Sequence, residues 1–300
     1  MPRPPAIPTL PELMFRTTPR DRYLAAMLYE HRALTAVQIA ELAFPSLRAA
    51  NRRLAELAEL AVADRSRTRH APHALGPYLY TLGPAGALLV GAAHDLSTKE
   101  LRYDRAVLLR QAARADLPHT LGCNTLMIRL ATRHRTDPTT RLATWWGPIS
   151  CLRLWGDTIR PDAYAVTTHA AAPGTLGWFL EYDTGTESTT QVAAKLRSYR
   201  RFSQNFSGHR PVLIHLPNPA REHRLRQVIA ETYPGPSPVP VATSTAGLAE
   251  RAWSIVGEDT APTGSHSLAD LHAAFSACGY RLLPAQSSDD EVYAPNPTQH

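Results

Sequence analysis

Three carboxylates fall in runs that read as β-strands. Asp162 lies within Ile159–Thr167, and Glu181 and Asp183 lie at the end of Trp178–Asp183. Residues two apart on a strand point to one face. Glu181 and Asp183 therefore share a face, and Asp162 can join them from a neighbouring strand. Converging carboxylates repel one another unless a cation neutralises them. Hard oxygen ligands of this kind suit Mg2+ or Mn2+, so Asp162, Glu181 and Asp183 are the candidate metal ligands. An ion held there lowers the pKa of a bound water and stabilises charge on a phosphate in transfer. Lys195 follows on a helix, three residues past Val192, and completes a catalytic set by stabilising the same charge. Only Lys99 and Lys195 are lysines in a chain whose other 30 basic residues are arginine. A compact point charge at 195 is then either a chemical choice or chance. A competing reading makes Asp162, Asp183 and Glu187 strand-end and cap carboxylates, with Glu187 suited to a helix start.

A second group is basic. Leu47, Ala50, Leu54 and Leu57 step by three, four and three, which makes one apolar stripe and leaves Arg48, Asn51 and Arg52 on the opposite face. Arg52 and Asn51 can read guanine and adenine edges. Arg65, Arg67 and Arg69, with His70 and His73, fall in and around the loop of a downstream hairpin, where guanidiniums position a duplex by its phosphates.

The elements that hold these groups follow from spacing and capping. Tyr23, Leu24, Met27, Leu28 and His31 predict a helix over Pro19–Glu30. Thr35 and Gln38 form a capping box that starts a second helix, and Pro45-Ser46 breaks it and caps a third. Val62–Arg65 and Tyr78–Leu82 predict a hairpin. Three helices and a basic hairpin make a winged helix-turn-helix, whose third helix enters the major groove. Ala85–Ala93 predicts a short helix, residues 94–103 a connector and Asp104–Ala115 a further helix. Downstream, a helix over Leu121–Arg133 leads into strands at Leu142–Trp146, with Cys151–Trp155 as an optional extra, then Ile159–Thr167 and Trp178–Asp183. A helix over Glu187–Phe202, a strand over Pro211–Leu216, a helix over Arg221–Thr232 and a strand over Val239–Thr243 follow. That order is αβββαβ, an α/β arrangement and α+β over the whole chain. Gly247–Ser254 and Leu268–Cys278 predict two last helices, and the tail from Ser287 reads as disordered.

Composition narrows the classes. The chain has 300 residues and a net charge of +6. Residues 1–115 hold 16 basic and 10 acidic side chains, and residues 116–300 hold 16 of each, so the whole excess lies in the first part. A polyanion is drawn there, and double-stranded DNA is the expected partner. No apolar run approaches the roughly 20 residues that span a bilayer, so no membrane partner is expected. Three isolated cysteines argue for reduced thiols in a cytoplasm. Neither lysine follows a glycine, which excludes a P-loop, and no G-x-G-x-x-G, H-E-x-x-H or G-x-S-x-G motif is present.

Arg160-Pro161-Asp162, the run Phe179-Leu180-Glu181-Tyr182-Asp183-Thr184-Gly185-Thr186-Glu187, and Ala194-Lys195-Leu196-Arg197-Ser198-Tyr199-Arg200-Arg201 resemble the PD-(D/E)XK nuclease superfold. Over residues 19–245 the chain resembles the replication-relaxation proteins of actinobacterial chromosomes, plasmids and phages, which couple a winged helix-turn-helix to such a domain. The resemblance implies a role in plasmid or phage replication or mobilisation, with replication or mobilisation proteins as partners and a homodimer where the DNA site is palindromic. It divides the chain into a flexible proline-rich start (1–18), a winged helix-turn-helix (19–95), a helical connector (96–116), a PD-(D/E)XK-like domain (117–256) and a partly disordered extension (257–300). The superfold's third strand ends Asp/Glu-x-Lys, whereas here it ends Glu181-Tyr182-Asp183. Either Lys195 replaces the missing lysine in a Mg2+-dependent DNA endonuclease, or the domain has lost cleavage and serves a DNA-binding protein or transcriptional regulator.

Overall fold

The computed structural model describes residues 7–71, 74–114, 116–170, 175–248, 251–257, 266–288, 292 and 294–298. These residues form eleven helices, a three-stranded sheet and a six-stranded sheet, a mixed α/β architecture of the α+β class. They divide into two compact units, one up to Ile128 and one from Arg129 to Val292, with a few tail residues assigned to each. No helix among them is long and apolar enough to cross a membrane.

In the first unit, α1 spans Leu10–Arg16, α2 Pro19–His31, β1 Leu34–Thr35, α3 Ala36–Ala43, α4 Leu47–Glu59, β2 Ala63–Ala71, β3 Ala74–Leu82, α5 Pro84–Ala93, α6 Arg105–Gln111 and α7 Leu117–Arg133, whose last turn crosses into the second unit. The expected flexible start contains α1. Thr9 and Glu12 cap it reciprocally, and Leu13 is fully buried where the helix packs against α5. From α2 to β3 the order helix, strand, helix, helix, hairpin is that of a winged helix-turn-helix, with sheet order β1-β3-β2. Local chemistry starts each helix. The Thr18 side chain accepts from the Asp21 amide, Thr35 from the Gln38 amide and Ser46 from the Ala49 amide. Gly83 joins β3 to α5, and a Cβ there would lie 2.2 Å from the Ala61 carbonyl oxygen, so only glycine permits the approach. The start of α7 belongs with this unit and not with the downstream domain expected from residue 117. The Gln38 side-chain amide donates to Leu121 O (2.7 Å) and to Thr125 Oγ1 (2.8 Å), and Asn124 donates to the Ala33 carbonyl at 3.0 Å. Buried amides must find partners, and these bind the helix to α3 and to the chain that links α2 to β1.

In the second unit, β4 spans Thr140–Trp146, α8 Pro148–Trp155, β5 Ala163–His169, β6 Thr175–Tyr182, α9 Thr189–Asn205, β7 Val212–His215, α10 Pro219–Thr232, β8 Val241–Ser244, β9 Ser254–Ile255 and α11 Leu268–Ala277. Sheet order follows chain order from β4 to β9. The ladders β4–β5 and β5–β6 are antiparallel, β6–β7 and β7–β8 parallel, and β8–β9 antiparallel. Two expectations fail here. Cys151–Trp155 is helix, because Pro148 opens a turn after Gly147 and buries Cys151 and Trp155, four apart, on one side. Gly247–Ser254 ends in strand β9, because burial of Trp253 carries the chain onto β8; residues 249–250 lie outside those described. On one sheet face an aromatic cluster joins Trp146, Trp155, Tyr164, Phe179, Tyr199 and Phe202, with Trp155 and Phe179 ring centres 5.2 Å apart. Offset and edge-on contacts of this kind order a core beyond simple burial.

Candidate functional site

The basic face of α4 forms as its pattern predicts. Ala50, Leu54 and Leu57 are buried, but Leu47, expected at the start of the same stripe, is exposed in the first turn; Arg48, Asn51 and Arg52 are exposed and make no hydrogen bond or ion pair among the described residues. Arg53 turns inward instead. Its Nε and Nη2 meet Asp21 at 3.1 and 2.7 Å, and Nη2 also donates to the Arg16 carbonyl. Burial of Asp21 opposes ionisation, but the Arg53 guanidinium and the Thr18 groups outweigh it and hold the carboxyl below its usual range. This pair fixes α4 against α2.

On the hairpin, Arg67 stands opposite Tyr78 and Arg65 opposite Tyr80. Both guanidiniums lie over the Tyr78 ring, at 4.7 Å for Arg65 and 4.2 Å for Arg67, and Arg67 Nη2 donates to the Tyr78 hydroxyl at 2.8 Å. Tyr78 therefore orders two solvent-facing cations on one surface. Sequence reasoning missed this role; a tyrosine paired across a hairpin with arginine was the available signal. The side chains of Arg69 and His70, and all of His73, lie outside the described residues.

The acidic group is assembled in the second unit by sheet register. Ala163 pairs with Leu180, so Asp162 stands across from Glu181. Asp162 immediately precedes β5 instead of lying within it, because its own carboxylate takes the Tyr182 amide (2.7 Å) that a ladder carbonyl would otherwise accept. Glu181 is buried. Lys195 Nζ reaches its Oε2 at 3.1 Å and Glu187 Oε2 at 3.0 Å, and the Tyr199 hydroxyl donates to Glu181 Oε1. Burial, then the charge of Asp162, pushes the Glu181 carboxyl up to about 7, against the pull of Lys195 and Tyr199. Burial works against the charge of Lys195 too, yet the surrounding carboxylates raise its pKa above the usual lysine value.

Asp183 lies one residue past β6 and has a different partner. Arg221 of α10 grips both its oxygens through Nε and Nη2, and the Gly185 amide donates to Oδ1 at 2.7 Å. In this acidic group, Tyr199 and Arg221 are the residues that sequence reasoning missed. Tyr199 sits four residues past Lys195, so helical periodicity could have found it; nothing local marks Arg221.

Among the described residues no group of three or more histidine, cysteine, aspartate or glutamate side chains is arranged to hold a metal ion. The donor set explains this. Both oxygens of Glu181 and both of Asp183 already accept hydrogen bonds from cations, a phenol or a backbone amide. The expected ligand set of Asp162, Glu181 and Asp183 therefore does not fit a divalent ion as arranged: Glu181 is held by Lys195 and Tyr199, Asp183 by Arg221 and the Gly185 amide, and Asp162 accepts from the Tyr182 amide. The sequence model of a family described as Replication-relaxation matches residues 26–213, more than half of the chain. No curated protein and no solved structure matches it.

Proposed function

The chain belongs to the replication-relaxation family, and we propose that it is a double-stranded DNA-binding protein of a replicating or mobile element. In this reading α4 enters the major groove with Arg48, Asn51 and Arg52 towards base edges, while Arg65 and Arg67 hold phosphates from the hairpin. The observation that carries it is the exposed basic face of α4, without partners among the described residues, beside a hairpin whose arginines are stacked in place. The second unit is a nuclease-like scaffold whose acids serve the fold. Fluorescence anisotropy with a labelled duplex tests the reading. Affinity should fall steeply with salt, and changing Arg48, Arg52, Arg65 and Arg67 together to Ala should weaken it by about two orders of magnitude or more. Affinity indifferent to both would end it.

One observation favours a second reading. Asp162 faces Glu181 with Lys195 3.1 Å away, an acid pair and lysine suited to Mg2+- or Mn2+-dependent phosphodiester cleavage once Glu181 is released from Tyr199. A supercoiled-plasmid nicking assay separates the two. The scaffold reading expects no nicking in either metal; nicking abolished by Asp162→Ala and Glu181→Ala would establish the endonuclease.

A further inference from the structure

Away from both groups, a cavity of about 300 Å3 opens between the C-terminal half of α9 and the chain that follows α11. Its polar lining is Arg200, Ser203, Gln204, Ser207, His209 and Arg281, with no carboxylate. Neither arginine makes an ion pair among the described residues. The wall is built and not incidental. The His209 amide donates to the Arg281 carbonyl and the Leu283 amide to the His209 carbonyl, each at 2.8 Å. A Cβ on Gly208 would lie 2.8 Å from Leu283 Cδ2 and 3.3 Å from the Arg281 carbonyl oxygen, so the chain at Gly208 packs closely against the segment that carries Arg281.

One buried polar atom of the lining lacks a partner among the described residues: His209 Nδ1 has none, although the ring is fixed edge-on to Tyr280. An orphaned buried polar atom calls for a partner, and an anion in the cavity, beside the two arginines, answers it.

We propose that this cavity binds a phosphate monoester, carried by a free mononucleotide or by the phosphorylated end of a nucleic-acid strand. The volume lies at the lower end of the range of about 300–1,000 Å3 for small-ligand sites, enough for a phosphate and part of its sugar. A monoester bears about 1.5–2 negative charges at pH 7, which suits a concave site with two arginines and no carboxylate better than the single charge of a backbone diester. The inference goes beyond the duplex-binding reading and uses none of its residues.

Calorimetry on the full chain tests it with thymidine 5′-monophosphate, thymidine and inorganic phosphate. Anisotropy adds a short single strand with either a 5′-phosphate or a 5′-hydroxyl. The nucleotide should bind and the nucleoside should not, and the 5′-phosphorylated strand should compete for the site only if strand ends are a source. Arg200→Ala with Arg281→Ala should weaken nucleotide binding by about tenfold or more at an unchanged melting temperature; His209→Gln provides a milder variant if the double change unfolds the chain. Arg65→Ala with Arg67→Ala should leave nucleotide binding intact, so failure here and failure of duplex binding are separable. Equal affinity for nucleotide and nucleoside, no binding of any phosphorylated probe, or binding indifferent to the double variant would overturn the proposal.

Discussion

Glu181 is a buried carboxylate kept ionisable by two donors, Lys195 Nζ and the Tyr199 hydroxyl, while burial and Asp162 push its pKa up to about 7. Its folded pKa exceeds the ordinary value of 4.5, so its stabilising contribution is full below that value and is lost as pH rises through about 7. Lys195→Met removes the cation that restrains this rise. The stability gap between wild type and Lys195→Met should therefore widen from pH 5 to pH 8, reaching about 1–3 kcal/mol, the cost of leaving a buried acceptor short of a partner. Urea melts at pH 5, 6.5 and 8 measure it, and a gap constant with pH would show that Lys195 does not restrain Glu181. Arg221 and Asp183 form a separate pair, so Arg221→Met should destabilise the fold independently of Lys195→Met.

The hairpin and α4 act as units whose surfaces are fixed from within. Tyr78 carries two guanidiniums on one half-buried ring, and contacts of this kind contribute about 0.5–1 kcal/mol each near the surface. Tyr78→Ala should leave folding nearly unchanged and weaken duplex binding by about three- to tenfold, since Arg65 and Arg67 must then be ordered on binding; full affinity in an anisotropy titration would remove Tyr78 from the interface. α4 depends instead on Asp21. Because the Asp21 pKa is lowered from 3.8, its contribution is present above that value and is lost as pH falls through the lower folded value. The difference in melting temperature between wild type and Asp21→Asn should shrink between pH 6 and pH 2.5, and a difference that persists undiminished would show that charge is not what Asp21 supplies. The helices of this unit were readable because their signals are local: Thr35 with Gln38, Ser46 after Pro45, and an apolar stripe along α4. The second unit was less so. A five-residue segment such as Cys151–Trp155, apolar except at Arg153, is too short for its periodicity to separate helix from strand. The grip of Arg221 on Asp183 spans 38 residues and exists only because β6, β7 and α10 come together.

Across the whole chain, charge separates the arginines that serve the fold from those left for a partner. The net +6 lies entirely within residues 1–115. Even there, Arg53 is held by Asp21, and Arg105 by Asp64 through two 2.7 Å contacts. Arg48, Arg52, Arg65 and Arg67 are exposed and make no ion pair among the described residues. In the second unit Arg224 pairs with Glu231 and Arg251 with Asp270. Each arginine that neutralises a duplex phosphate adds about 0.9 to the slope of log affinity against log salt. Single changes of Arg65 or Arg67 to Ala should each lower that slope by about one. Arg105→Ala should lower stability and leave the slope alone, because its charge is already spent on Asp64. Arg224→Ala and Arg251→Ala should change neither slope nor sequence preference. A salt titration of this set distinguishes a localised reading head from diffuse attraction: slope losses confined to the α4 and hairpin arginines place the duplex on that surface, and equal losses from Arg224 or Arg251 would place phosphate contacts across both units.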